Sequence, residues 1–236
     1  MAEAAGAEIL TGVKVTDISK GRVKTSDREF DCDLVVSAGG NSAPANPNAK
    51  YSCSGVAIFA ALREPLPGDT VTHSVVMPDD PAALHRDLEA RRDPKQTMAF
   101  VNYYKAGEVY PNEKPTVAVL LTAPADGKTY DINSPWVRSE IDRISRVMGL
   151  DAPIDELFEY HLVLTPEYFG EWGSALGALY GKTHPLWQSG PFHNPQYRSI
   201  FRPWLRRVGA SVHPGGGIPA VLGGTLISLR DLKPTI

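Results

Sequence analysis

The stretch Val208-Gly-Ala-Ser-Val-His213-Pro214-Gly-Gly-Gly217-Ile218-Pro219-Ala-Val-Leu-Gly-Gly-Thr225 decides how the chain is read. It passes from a strand through a tight glycine turn into a helix. Consecutive glycines let a backbone approach a flat ligand closely. Pro219 suits the first helical turn, where its missing N–H does no harm. The free amides and the positive dipole end of that helix face whatever lies over the turn, so an anionic or electron-rich group is the natural occupant. The same glycines serve equally well as a purely structural turn, and the segment by itself does not choose between the two.

Working upstream, the helix over 218–229 is preceded by strand-like and turn-like pieces. Glu8 to Ile18 alternates in part, Ser19-Lys20-Gly21 turns, and Arg22–Thr25 returns. Phe30 to Val36 reads as a buried strand ending at Ala38-Gly39-Gly40. Residues 41–50, rich in Asn, Pro and Ala, form a loop. Val56 to Leu62 is a continuous apolar run, and 71–77 and 98–104 have strand composition. Val117–Leu121, bounded by Pro115 and Pro124, reads as a central strand. Pro81 to Arg92 is helical, with Leu84 and Leu88 four apart. The clearest helix is Pro135 to Met148, with Ser134 as N-cap, Gly149 as stop, and Val137, Ile141, Ile144 and Met148 on one face. Leu157 to Leu164 is a further strand. This order predicts a mixed α/β (α+β) protein in which helices cover a sheet.

Composition narrows the function classes. Of 236 residues, 42% are apolar and 22% charged, which is the balance of a globular protein. A formal net charge of −3 argues against a surface that holds nucleic acid by bulk positive charge. Cys32 and Cys53 have no ligand spacing, and reduced thiols are favoured over a disulfide. The first ten residues lack the apolar core of a signal peptide. No run approaches the about 20 apolar residues of a membrane-spanning helix, so a cytoplasmic protein with at most peripheral membrane contact is expected. The six histidines are scattered, with no metal-binding pair. There is no GxSxG elbow, no Walker A loop and no GxGxxG fingerprint. The cluster of Arg202, Arg206 and Arg207 around Trp204 reads as a solvated or ion-paired face rather than an RNA site.

The glycine segment resembles the C-terminal flavin-contacting motif of phytoene-desaturase-type carotenoid oxidoreductases, where a pattern like VGAxxHPGxGIPxV recurs. Other pieces agree in order: Gly6-Ala7-Glu8-Ile9 with the paired strands, Asp33-Leu-Val-Val-Ser37, Tyr51-Ser52-Cys53-Ser54, Thr165-Pro166, Gly173-Ser174-Ala175-Leu176-Gly177, and Pro185-Leu-Trp-Gln-Ser189. Two places depart from the family pattern. Arg206 and Arg207 stand where an aromatic pair usually precedes VGA, and Phe192-His193-Asn194-Pro195 stands where Phe-Arg-Pro is common. The fingerprint for the ADP half of FAD is absent from this sequence.

The resemblance implies the C-terminal part of a flavoprotein amine-oxidase-like fold. Residues 1–49 would be a remnant of the FAD domain, 50–190 a substrate domain, and 191–236 the return to the FAD domain. FAD would be contacted by Gly209, His213, Pro214, Gly215, Gly216, Gly217, Ile218 and Pro219, with the helix end near Ile218 stabilising negative charge on the flavin. Trp187, Phe192 and Trp204 would line a channel for an apolar polyene, or serve as packing. No side chain stands out as a catalyst, so the reaction implied is hydride transfer from the polyene to FAD. Activity would need a complementary fragment carrying the nucleotide-binding half. Two alternatives stay open: a non-catalytic module that binds an apolar ligand or a partner, and a flavin oxidoreductase for another apolar substrate such as a retinoid or an amine.

Overall fold

A computed structural model describes residues 2–39, 49–172, 175–183, 197–210, 212 and 216–232. It is a mixed α+β protein with mainly antiparallel sheets and, among the described residues, four α-helices. The chain divides into two compact units, Met1–Ala38 with Asn194–Ile236, and Gly39–His193.

The first unit holds two small sheets. The strands β1 (Val15–Ser19), β2 (Arg22–Thr25) and β3 (Glu29–Asp31) form an antiparallel meander around the Gly21 turn. Gly21 takes φ +79°, which L side chains rarely adopt. The expected strand from Glu8 is present only from Val15 onward. A second sheet has the order β10 (Arg198–Ser199), β11 (Arg202–Arg207), β4 (Val35–Ser37), and β4 runs parallel to β11. The reading of Phe30–Val36 as one buried strand is therefore corrected. Two strands share that stretch, and Val36 is 43% exposed. Side chains alternate across a strand, and Val36 takes the face opposite the half-buried Val35 and Ser37; among the described residues β4 is also an edge, paired on one side only. The apolar helix α4 (Ile218–Leu229) packs on β11, where the Ser228 hydroxyl donates to the Arg207 carbonyl at 3.1 Å.

The second unit is built on five antiparallel strands in the order β6 (His73–Val76), β7 (Ala99–Tyr104), β8 (Thr116–Ala123), β5 (Ser54–Leu62), β9 (Phe158–Leu164). The expected central position of Val117–Leu121 is met: β8 is paired on both edges, by β7 and β5. Two helices precede and follow β7 and β8. In α1 (Pro81–Glu89) the Asp80 carboxylate caps the first turn by accepting from the Ala83 amide at 2.9 Å. In α2 (Pro135–Val147) Ser134 occupies the cap position, but its hydroxyl donates to the Asp131 carboxylate instead of capping the helix. The short α3 (Pro166–Glu171) follows β9.

One face of this sheet and α2 make the core. Val56, Ile58, Leu62, Val101, Tyr103, Val117, Val119 and Leu121 join Val137, Ile141 and Ile144 in a single buried cluster. Each such side chain contributes roughly 1.5–3 kcal/mol by leaving water. A buried ion pair ties the helix to the strands. Arg143 donates to Glu140 Oε2 at 2.6 Å and to the carbonyls of Met77 and Thr97, while the Thr97 amide donates to the same Glu140 oxygen. Two segments of this unit that are distant in sequence run side by side. The Leu179 and Thr183 amides donate to the Cys53 and Lys50 carbonyls at 3.0 Å each. Burial pushes the Cys53 thiol up from its ordinary value.

Candidate functional site

The opposite face of the five-stranded sheet is a candidate binding surface. Strand register sorts its residues into rows, because alternate side chains share a face. Val75, Phe100, Leu120, Ala57 and Leu164 make one row across all five strands. His73, Asn102, Ala118, Phe59 and Leu162 make the next, and Tyr104, Thr116, Ala61 and Tyr160 the third. Alanines at 61 and 118 leave the middle shallow, and aromatic side chains rise around them. The result is a mostly apolar cavity of about 560 Å³. Phe59, Leu162 and Tyr160 are 47%, 58% and 65% exposed, far above their neighbours on the core face.

The groups at the β7 side are polar and ordered. His73 Nδ1 and Asn102 Oδ1 are 2.7 Å apart. The Tyr104 ring meets His73 and Tyr110 edge-on, with centroids 6.0 and 5.5 Å away. The Tyr110 and Thr116 hydroxyls are hydrogen-bonded to each other. Among the described residues no cluster of three or more His, Cys, Asp or Glu side chains could hold a metal ion. No helix among them is long and apolar enough to cross a membrane.

The glycine segment lies in the first unit. The Val208 amide donates to the Ser37 carbonyl at 3.0 Å, extending the β4–β11 pairing. Gly209 follows at φ +105°, and a Cβ there would lie 3.2 Å from the Ala38 carbonyl oxygen. The backbone angle favours glycine, and the close approach leaves little room for any side chain. Gly217, at φ +89°, precedes α4, whose first turn contains Pro219 and has no side-chain cap. Gly217, Ile218 and Pro219 are exposed. His213, Pro214 and Gly215 lie outside the described residues, as do Trp187, Phe192 and most of the loop expected at 41–50. Trp204 is half-buried on β11 and is not among the residues lining the sheet cavity.

No family model matches the sequence. Curated proteins do. A 4,4'-diapophytoene desaturase (4,4'-diaponeurosporene-forming) of Staphylococcus haemolyticus is 26% identical over 199 residues, covering 80% of this chain and 39% of that protein. A hydroxyneurosporene desaturase of Rubrivivax gelatinosus is 32% identical over 168 residues, 66% of this chain and 30% of that protein. A zeta-carotene-forming phytoene desaturase of Myxococcus xanthus is 25% identical over 178 residues, 73% of this chain and 34% of that protein.

The chain is a distant relative of the carotenoid desaturases.

It spans about a third of the length of the curated relatives it matches. In this carotenoid-desaturase relative the sheet cavity went unseen in the sequence. Val56–Leu62 reads as an uninterrupted apolar run, which conceals that Ile58 and Phe59 face opposite sides. The available signal was the alternation of Phe100, Asn102 and Tyr104 with Ala99, Val101 and Tyr103. It marks two faces of different chemistry.

Proposed function

We propose that this chain is part of a flavin-dependent oxidoreductase that acts on a long apolar polyene, and that the open face of its five-stranded sheet holds the polyene. The observation that carries this reading is a broad, shallow, mostly apolar face on a distant relative of carotenoid desaturases. Apolar floors with a few placed polar groups are what small-molecule sites offer. On this reading residues 1–49 and 191–236 belong to an FAD domain of the amine-oxidase-like fold, and 50–190 form the substrate domain.

The residues at the glycine turn fit one edge of a flavin and no more. The uncapped first turn of α4, entered through a glycine at positive φ, presents backbone amides to an electron-rich partner. A pyrophosphate needs a strand–turn–helix fingerprint that this sequence does not contain. FAD, when bound, would take a hydride from the polyene. The chain's own part is to lay the polyene flat on Ala61 and Ala118, to keep water from it with Phe59, Leu162 and Tyr160, and to offer amides at Ile218. We propose that the nucleotide half is held by a polypeptide carrying the fingerprint, joined to this chain or separate from it. The single-sided β4 is the edge on which such a strand would add.

Two measurements test the reading. Filling the floor with Ala118→Phe is expected to abolish polyene binding while the thermal transition stays cooperative; unchanged binding would overturn the assignment of the face. Co-expression with a fragment carrying a GxGxxG strand–turn–helix is expected to raise soluble yield and bound flavin. A lone chain that is monomeric, cooperative and unaffected by the fragment would instead support a non-catalytic apolar-ligand module.

A further inference from the structure

We propose that the tip of the β10–β11 hairpin docks on an anionic lipid bilayer, with Ile200 and Phe201 entering the apolar layer and the arginines around them meeting lipid phosphates. The inference concerns a surface of the first unit and does not rest on the polyene reading.

The tip is chemically out of place. Ser199 pairs with Arg202, so Ile200 and Phe201 alone make the turn, and the Phe201 amide donates to the Ser199 hydroxyl at 3.2 Å. Gly, Pro, Asn, Asp and Ser dominate turns, because they suit the backbone and the water around it. Here two large apolar side chains stand 88% and 86% exposed. Ile227, on the last turn of α4, is exposed as well and lines a common hollow with Ile200. One exposed apolar residue needs no explanation, but three that adjoin do.

Arginines ring this tip. From Trp172 to Arg230 the sequence has no Asp or Glu, one Lys and five Arg, in a chain whose formal net charge is −3. Arg198, Arg202 and Arg207 line a hollow of about 580 Å³ with Ile200 and Phe201, and Arg198 and Arg230 line a second, of about 360 Å³, with Ile200. Arg198 is bound to Asp231, and Arg230 lies 3.9 Å from the same carboxylate. Arg202 and Arg207 have no ion-pair partner among the described residues. Arg206 is buried, donates to the Pro203 carbonyl at 2.7 Å and takes no part.

Charge and apolar surface together choose the partner. Arginines are attracted to an anionic leaflet at headgroup depth, and apolar side chains between them gain by leaving water. A nucleic acid would use the arginines and leave Ile200 and Phe201 wet. An apolar protein groove would take the two side chains and leave the arginines unpaired. The tip lies beside the C-terminal end of α4, about 18 Å along the helix from the glycine turn, so docking leaves that turn free.

The test sediments the full chain with vesicles of phosphatidylcholine alone, and of phosphatidylcholine with an equal part of phosphatidylglycerol. The mixed vesicles are expected to bind at least about tenfold more tightly, and less so as salt is added. Ile200→Ser combined with Phe201→Ser is expected to weaken that binding by about tenfold or more, and Arg202→Gln by about fivefold. Unchanged thermal transitions check that these surface variants fold. Trp172→Ser removes another large exposed side chain, in the second unit, and is expected to leave binding unaltered. Equal binding to both vesicles, binding to neither, or a loss with Trp172→Ser as large as with the tip pair would overturn the inference. So would an oligonucleotide that binds more tightly than the mixed vesicles and is indifferent to the tip pair. All of these outcomes leave the polyene reading as it stands.

Discussion

The two faces of the five-stranded sheet are made by the same strands, and they differ in size, chemistry and cover. On the core face, Val56, Ile58, Val119 and Leu121 are essentially inaccessible beneath α2. On the other, Phe59, Ala61, Ala118 and Leu162 surround a cavity. Residues adjacent in sequence thus do different work. The contrast teaches that an apolar strand run carries two independent messages, one per face. The covered face is filled with branched side chains that interlock. The uncovered face alternates alanine with aromatics, which leaves depth for a flat ligand that the core face could never admit.

The largest expected effect breaks the lock on the covered face. Arg143→Met leaves Glu140, 0% exposed, buried without its counter-charge, and is expected to cost about 3–5 kcal/mol in denaturant unfolding. The double variant Glu140→Leu with Arg143→Leu should recover much of that loss, because no lone charge stays behind. A full loss in the double variant would mean that the links from Arg143 to the Met77 and Thr97 carbonyls, not the pairing, hold α2 down.

Next in size is the comparison of two consecutive residues. Ile58→Ala is expected to destabilise by about 2–5 kcal/mol, the ordinary range for emptying a packed site. Phe59→Ala, one residue away on the open face, should cost under about 1 kcal/mol, since its ring is already half in water. Chemical denaturation of both variants is the check. Similar losses would show that the open face is covered in solution.

The smallest effect concerns the approach to α2 in acid. Arg138 donates to both oxygens of Asp155 at 2.5 Å, and this hydrogen bonding holds the Asp155 carboxyl below its ordinary range. A depressed carboxylate contributes stability above its unfolded pKa and loses it as the pH falls through the folded one. Melting curves of the unaltered chain and of Arg138→Gln should therefore differ at neutral pH and converge in strong acid. A difference that persists there would show that packing, not charge, links α2 to the turn at Ile154–Leu157.

Much of the fold was legible in local pattern. Apolar spacing located α1 and α2, apolar runs and strand composition located the five strands of the large sheet, and the glycine cluster with Pro219 located α4, each to within a few residues. The first unit was harder to read. Phe30–Val36 has the composition of one buried strand, but nothing local says that β4 ends at a sheet edge. The glycine segment was recognisable because positive-φ positions such as Gly209 and Gly217 admit few other residues.

By itself, then, the sequence determined the helix faces, the strand runs, the glycine turn and the kinship with carotenoid desaturases. All of these depend on neighbours along the chain or on residue order. Only the tertiary structure decided which face of the sheet α2 covers, that Ala61 and Ala118 from two strands form one floor, and that His73, Asn102, Tyr104 and Tyr110 meet at one corner. The physical reason is register. A side chain's row on a sheet is set by hydrogen bonds to strands tens of residues away, and a slip of one residue would exchange the two faces.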